Sequence, residues 1–565
     1  MMGIKERNFR PLPDDLSLET LVPKDNFYRR LEERIDLSFV RELVLPLYAK
    51  GGRHSIDPVI FFKLQLVLFF ENLRSERQLM EVVSDRLSLR WYVGYDLCEP
   101  LPDHSSLTKI RERYGLEVFR NFFERIVEMC VEAGLVRGKE LFFDSTKVEA
   151  DAAVNSLAPR WFAEAHLQDL FEEDDDHRER EEEPQGAEFE DEGSIHTLPT
   201  AGNEDLLRSN SASEDWISRS GKQDRSFSSG PRKRTSDSRA SRTDPDATPM
   251  RWSGSVRKLG YQTHYVIDGG KSRIILSVLV TPGEVTENRP MLDLLWRTCF
   301  RWKIRPHHVT GDGKYGTVEN IAAVEESGIR AYLGLHEAGG RGRDFFPKSA
   351  FTYDAGKDLY ICPAGETLRA LGDAQDRRSR GKVLTYRARG SVCGACSLKP
   401  QCTTNKNGRS LRRGSGDEYI DLLRAYIMQT EPYQKAIRKR KVWIEPLFAE
   451  GKLWHGMRRF RMRTLEKVNI EALMIAAGQN MKRLLTFGDR GPRRLAQGAA
   501  LRCPQLAPVR TERTASRCRS RLHLPCASRF STRWGVYETS NLCLCTALLS
   551  SVILVGPPSE LAASD

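Results

Sequence analysis

The stretch KELFFDSTKVEADA, residues 139–152, decides how this chain folds. Leu141, Phe142 and Phe143 form a run apolar enough for a strand covered on both faces, and such strands sit inside sheets. The run ends on a carboxylate, Asp144, followed at once by Ser145, Thr146 and Lys147. Asp and Ser favour chain reversals, so a surface turn is the plainer reading. A metal ligand at a strand end is the sharper one, and it needs a second acid.

Residues 308–317, HVTGDGKYGT, offer that partner. Val309 leads a short strand into Asp312, and the flanking Gly311 and Gly313 permit a tight turn and close approach of a bulky ligand. Between the two acids, YQTHYVID alternates like a strand and SRIILSVLVT is a more apolar one, with Gly269-Gly270 as the hairpin turn. Asn288 to Trp302 has helical periodicity, TVENIAAVEESG is a helix closed by Gly328, and IRAYLGL is a further strand. Three antiparallel strands followed by β-α-β are the topology of an RNase H-like mixed sheet, and the crossover is right-handed. In that fold Asp144 and Asp312 project from neighbouring strand ends. Two carboxylates so close repel unless a proton or a cation lies between them. Mg²⁺, a hard ion bound by oxygen, is the natural cation, with Mn²⁺ able to substitute.

Before the sheet the chain reads as all-helical. DPVIFFKLQLVLFF (57–70) has Asp57 as N-cap and Pro58 in the first helical position. LPDHSSLTKIRERYG (101–115) starts another helix at Asp103 or Ser105, carries the basic turn Lys109, Arg111 and Arg113, and stops at Gly115. An exposed basic helix suits DNA binding, and a helical bundle with a solvated basic face is the bland alternative.

The chain has 565 residues, 88 Lys+Arg against 77 Asp+Glu, and a net charge of +11, which permits a polyanionic partner without demanding one. Its apolar run Val59–Phe70 is too short to span a bilayer and contains Lys63. The charged start MMGIKERNFR leads to no apolar segment of a secretory signal. Twelve cysteines without such a signal favour reduced thiols or metal over disulfides. A cytoplasmic bacterial protein, nucleoid-associated when acting and with no membrane partner, is the expectation.

A third acid is sought in YQKAIRKRKVWIEPLFAEGKLWHGMRRFRMRTLEK (433–467), where eleven Lys and Arg crowd the chain. Glu445 precedes Pro446, which suits the first turn of a helix. Lys452, seven residues on, returns to nearly the same face, whereas Glu450 faces elsewhere. A helix that brings one carboxylate to a metal and many cations to phosphates fits nucleic acid, with Lys441, Lys452, Arg458 and Arg459 as the phosphate contacts.

These segments, together with TDPDA (243–247) and AAGQNMKRLL (476–485), resemble the DDE transposases of bacterial insertion sequences. The likeness runs from about residue 10 to 490 and is nearest the branch with a helical N-terminal domain, an RNase H-like core and a cysteine cluster before the final Glu. It implies that Asp144, Asp312 and Glu445 are the catalytic, Mg²⁺-binding triad. It also implies partners: the terminal inverted repeats of an element, target DNA, and further copies of the chain in a homo-oligomer. The signature Tyr-(2)-Arg-(3)-Glu-(6)-Lys of related families is matched by Glu445 and Lys452, but Arg438 stands in the Tyr position and Lys441 in the Arg position.

Cys362, Cys393, Cys396 and Cys402 fall in one Gly- and Pro-rich segment between the last strand and the Glu445 helix. C-x2-C-x5-C with one cysteine upstream can form a tetrahedral Zn²⁺ site, stapling an insertion expected to be too small for a core of its own. Unliganded thiols are the alternative.

The reading divides the chain into a helical DNA-binding domain (1–137), the first core strand (138–156), a charged and largely disordered insertion (157–250), the rest of the core (251–336), the cysteine-containing insertion (337–430), the catalytic helix region (431–490) and an atypical tail (491–565). The tail has ten Arg, no Lys and five Cys. The expected function is Mg²⁺-dependent cleavage of element ends and joining of the 3′-OH to target DNA. A nuclease of RNase H type that cuts without joining, and a catalytically silent DNA-binding copy, are the rivals.

Overall fold

The computed structural model describes residues 16–49, 55–159, 239–252, 256–335, 345–375, 382–414, 416–425 and 427–488. Most of the charged insertion and the whole of the tail lie outside the described residues. The chain opens with helices α1 (Leu18–Leu21), α2 (Phe27–Arg34), α3 (Phe39–Val44), α4 (Pro58–Phe70), α5 (Glu76–Asp85), α6 (Leu87–Val93) and α7 (His104–Glu132). The Asp57 carboxylate caps α4 by accepting the Val59 N–H at 2.8 Å. Eight residues of α4 are buried, and Phe62 stacks on Phe122 of α7 with ring centroids 4.4 Å apart. No described helix is long and apolar enough to cross a membrane.

Asp103 caps α7 through the Ser105 N–H. Gly115 leaves helical geometry at φ 62° and ψ −178°, so the first helical stretch stops there as expected, and a second stretch runs on to Glu132. Arg111, read from the sequence as part of an exposed basic turn, is buried and pairs with Glu76 of α5. Lys109 and Arg113 remain exposed.

The mixed sheet contains β1 (Glu140–Glu149), β4 (Thr248–Arg251), β5 (Arg257–Asp268), β6 (Ile275–Pro282), β7 (His308–Gly316) and β8 (Arg330–Leu335); a separate ribbon pairs β2 (Leu157–Pro159) with β3 (Arg239–Ser241). Its order is β4-β5-β1-β7-β8, with β6 also on β5. β1 and β6 run antiparallel to β5, and β1, β7 and β8 run parallel. Helix α8 (Met291–Trp302) crosses from β6 to β7, and α9 (Val318–Glu326) from β7 to β8. This is the RNase H-like arrangement expected. At the β5–β6 turn, buried Asp268 accepts the N–H groups of Arg137, Gly138 and Gly270, locking the hairpin to the strand entry.

After β8 comes a second sheet where a loop-rich insertion without a core was expected. Strands β9 (Thr352–Asp354), β10 (Leu359–Ile361), β11 (Thr367–Gln375), β12 (Lys382–Arg387) and β13 (Ser410–Gly414) form it in the order β13-β12-β11-β10-β9. It has its own small core of Phe351, Tyr360, Leu368, Tyr386, Ala388 and Leu411. Of the Gly and Pro residues that suggested a loop, Pro363 and Gly365 sit in the β10–β11 turn, whereas Gly394 and Pro400 lie in short helices after β12. Helices α10 (Gly390–Ala395) and α11 (Lys399–Cys402) interrupt it, and α12 (Asp417–Ala425) follows.

Two long helices close the fold, α13 (Glu431–Trp454) and α14 (Leu465–Phe487). α14 is almost wholly buried between β6 and the N-terminal helices. It also completes a sheet edge. The Asn469 amide accepts from Val280 N–H at 2.8 Å and donates to its carbonyl at 3.1 Å. Asn480 does the same at Ile275, at 2.9 and 2.8 Å. Eleven residues of helix and five of strand both span about 16 Å, so the two amides fall on matching points of β6. The outer edge of that strand is thus capped by side chains that mimic a neighbouring strand.

Candidate active site

β1 does not end at Asp144. It continues to Glu149 because β5 pairs with it along its whole length, Leu141 to Glu149. Its parallel partner stops sooner: β7 matches β1 only at Glu140↔His308, Leu141↔Val309 and Phe142↔Thr310. Asp144 lies two residues past Phe142 and Asp312 two past Thr310, so the parallel register sets the two acids level where the strands part. Pairing of β7 with β8 is also interrupted after Gly311. The sheet opens here into a notch, and both carboxylates stand in it.

A third acid joins them, Glu287, from the segment leading out of β6. Carboxylate oxygens of Asp144, Glu287 and Asp312 lie within 4.8 Å of one another. Glu287 is buried and pairs with Lys314 of β7. Asp312 accepts the Lys314 N–H at 2.9 Å, and Asp144 accepts the Ser145 N–H at 2.9 Å. Arg440 of α13 donates to the other Asp144 oxygen at 2.8 Å.

Burial pushes the Asp144 carboxyl up to about 6, Asp312 and Glu287 add to the rise, and Arg440 and the Ser145 N–H oppose it. Lys314 is held above its ordinary value: burial works against the charge, but the Glu287 bond and the nearby acids outweigh it. Three oxygen-donor side chains gathered at one notch suit a hard divalent cation such as Mg²⁺ or Mn²⁺, and Arg440 and Lys314 offset part of the negative charge.

Glu445 stands outside this group. It is exposed, on the helix that supplies Arg440. Five residues separate the two, roughly 140° of turn, so α13 can present only one of them to Asp144 in this placement. The helix also begins earlier than Pro446 suggested. Thr430 caps it, Pro432 sits in its first turn, and Pro446 lies in its interior. A proline there cannot donate to the carbonyl four residues back, Val442, and the Arg273 guanidinium donates to that oxygen instead, at 3.4 Å.

Of the four cations expected at phosphates, Lys441 is exposed on α13 and Arg458 and Arg459 are exposed just after it. Their loop is tied to the end of β1: Glu149 N–H donates to Arg458 O at 3.1 Å, and Phe460 N–H to Glu149 O at 2.9 Å. Arg459 is already paired with Asp151 at 2.7 Å. Lys452 is partly buried, and burial, then the Arg458 charge, hold its amine below the usual lysine range. Away from this site, Cys362, Cys393, Cys396 and Cys402 line one cavity beside the second sheet.

Glu287 was missed because an acid in TPGEVTEN reads as an ordinary turn. Topology held the signal. β6 runs in the same direction as β1 and β7, so the segment leaving it opens at the end of the sheet where Asp144 and Asp312 stand, and ligands of open α/β sheets gather at such ends.

Two family models match the chain. Residues 16–113 match a transposase domain (DUF772), and residues 361–485 match a transposase DDE domain. The first covers the helices up to the basic turn of α7, and the second runs from the cysteine-bearing sheet through α13 into α14. Neither a curated protein nor a solved structure matches the chain. The two matches support an insertion-sequence DDE transposase, a class of DNA-binding enzymes that cleave nucleic acid with divalent metal.

Proposed function

We propose that this chain, a DDE transposase of the insertion-sequence type, cuts DNA at the ends of its element and joins the freed strands to target DNA. The observation that carries the proposal is the convergence of Asp144, Glu287 and Asp312 at the notch between β1 and β7. A divalent cation bound there supplies a water activated at neutral pH and stabilises charge building on the phosphoryl oxygens. The three carboxylates would hold that ion, and Arg440 keeps Asp144 oriented through a charge-assisted bond.

Cleavage breaks the bond between phosphorus and the 3′ oxygen at the element end. Water supplies the incoming oxygen, and the departing 3′ oxygen takes up a proton. Joining repeats the displacement with that 3′-OH as nucleophile at a target phosphodiester. One such bond is made for each one broken, so joining needs no external energy source. Lys441, Lys452, Arg458 and Arg459 position phosphates along the strand that leads to the notch. The helices of residues 16–113 hold flanking DNA. Joining two element ends at one target calls for at least two copies of the chain.

Glu445 keeps its place in this scheme as the acid that α13 brings to DNA, next to Lys441 and Lys452. The resemblance implies more, a catalytic and Mg²⁺-binding role for Glu445 beside Asp144 and Asp312, whereas Glu287 is the third acid grouped at the notch. The test is incubation of the purified protein with a duplex carrying the inverted repeats that flank its gene, plus a target plasmid and Mg²⁺ or Mn²⁺. Nicked ends and joined products are expected, both abolished by Asp144→Asn. Cutting without joining would leave a nuclease, and binding without cutting a silent copy.

A further inference from the structure

We propose that Cys362, Cys393, Cys396 and Cys402 hold one structural Zn²⁺, a site independent of the acidic notch. The cysteines reach the same cavity from three separate pieces of backbone: Cys362 from the β10–β11 turn, Cys393 and Cys396 from α10 and its C-cap, and Cys402 from the end of α11. All four are free thiols, and Cys362, Cys393 and Cys402 pack against the small core of the second sheet. Phe351 and Leu368 make the rest of the wall largely apolar. Four thiols converging on an apolar wall suit a thiophilic ion that neutralises four sulfurs at once, and four sulfurs match the closed tetrahedral set of structural zinc.

The local backbone fits sulfur ligands. The Cys362 turn is tight: Gly365 N–H donates to Cys362 O at 2.8 Å, and Glu366 N–H donates to the Cys362 sulfur at 3.3 Å. A backbone N–H that donates to sulfur fixes the direction in which the sulfur presents itself, as outer partners of metal ligands do. Gly408 closes the other side at φ 86°, and a Cβ there would come within 2.9 Å of the Cys393 sulfur. Arg409 bridges the Cys402 and Phe346 carbonyls at 3.1 Å each, setting a cation beside the thiols.

The four sulfurs stand wider apart than the carboxylates of the notch. Zn–S bonds of about 2.3 Å place tetrahedral sulfurs about 3.8 Å apart, so the ion must draw them inward. The short helices α10 and α11 are the parts that give. Zinc would then clamp this connection against the sheet just ahead of α12 and α13, fixing the base from which the Arg440 helix departs.

The experiment uses the full chain, purified under reducing conditions without chelator, with metal read by elemental analysis and by cobalt substitution. One zinc per chain is expected, with cobalt giving the ligand-field and sulfur charge-transfer bands of a tetrahedral thiolate site. Cys393→Ser with Cys396→Ser should abolish both signals. Asp144→Asn should keep them, which separates this site from the notch, and so should a chain with the five cysteines beyond residue 490 changed to serine. Because the double cysteine variant can misfold, Cys98→Ser with Cys299→Ser serves as a thiol-removal control that retains zinc. A reduced wild-type chain with no zinc and no thiolate cobalt spectrum overturns the proposal, as does zinc retained by a folded Cys393/Cys396 variant.

Discussion

Arg440 donates to Asp144 across 2.8 Å from the middle of α13, while Glu445 of the same helix is exposed. The guanidinium is itself largely buried, so the pair is a close counter-charge and not a surface contact. A cation entering the notch must share the Asp144 oxygens with it. Arg440→Gln removes this competitor and leaves a shorter, uncharged polar side chain. The variant is expected to bind Mn²⁺ several-fold more tightly at alkaline pH and to lose most cleavage, since Asp144 is no longer oriented. Mn²⁺ titration by magnetic resonance, paired with the cleavage assay, reads both effects. Unchanged Mn²⁺ affinity would show that the pair does not compete with metal.

The acid at Asp144 carries a pH signature. Its folded-state pKa is raised to about 6, by burial first and then by the neighbouring acids. Metal needs the ionised form, so Mn²⁺ affinity should fall about tenfold per pH unit below about 6. The sign for folding without metal is opposite. The raised pKa means that the contribution of Asp144 to stability is fully present below its unfolded value of about 3.9 and lost as pH rises through about 6. Asp144→Asn should therefore flatten the thermal stability of the metal-free protein between about pH 4 and 7. A flat Mn²⁺ affinity across that range would contradict the assignment.

Glu287 and Glu445 are separated by their metal readouts. Glu287→Gln weakens one of the three donors at the notch, and Mn²⁺ binding should fall by at least about one to two orders of magnitude, the loss that changing the outer partners of ligands already produces. Glu445→Gln changes an exposed side chain outside the notch and should leave Mn²⁺ binding without DNA unaltered. If Glu445 acts on DNA-bound metal, its variant still fails to cleave. Loss of Mn²⁺ binding by Glu445→Gln alone would return that residue to the notch and displace Glu287.

How much of this was legible in the sequence follows from the physics of each element. Local signals carried the helix caps at Asp57 and Asp103, the β5–β6 hairpin and the strand order, because patterning and turn chemistry act over a few residues. Asp144 and Asp312 were found because each follows a short run that reads as strand, although β1 and β7 both continue past the acid. Glu287 was not, because its meaning comes from the end of the sheet at which its segment emerges. Arg440 was lost among eleven Lys and Arg, where nothing local distinguishes the one that turns inward. The second sheet was read as loop because its strands are short and its core is small.

The asparagine clasp on β6 is a stability device with a clear cost of removal. Asn480→Ala leaves the Ile275 N–H and carbonyl without their side-chain partners in a buried setting. Each such orphaned group costs about 1–3 kcal/mol, so a loss of about 2–6 kcal/mol is expected. Asn469→Ala should behave alike at Val280. Denaturant unfolding of each variant checks this, and a loss below about 1 kcal/mol would mean that water or a rearranged edge replaces the amide.

DNA binding by the basic segment is tested through salt. Each phosphate contact releases condensed counterions, so each one lost should reduce the slope of log affinity against log salt by about one. Lys441 and Arg458 are exposed, and replacing either with alanine should lower the slope by about that amount. Arg459 must first leave Asp151, an exposed pair worth about 0.2–1 kcal/mol, so its removal should weaken binding less. Lys452 is partly buried with its amine held below the usual range, so its effect should fade at a lower pH than that of an exposed lysine such as Lys441. Asp151→Ala frees Arg459 and removes an acid beside it, so binding should tighten. Salt titrations on an element-end duplex measure the five variants against the parent. Slopes equal to the parent for both Lys441→Ala and Arg458→Ala would make the basic segment a solvated surface and move DNA recognition to the exposed Lys109 and Arg113 of α7.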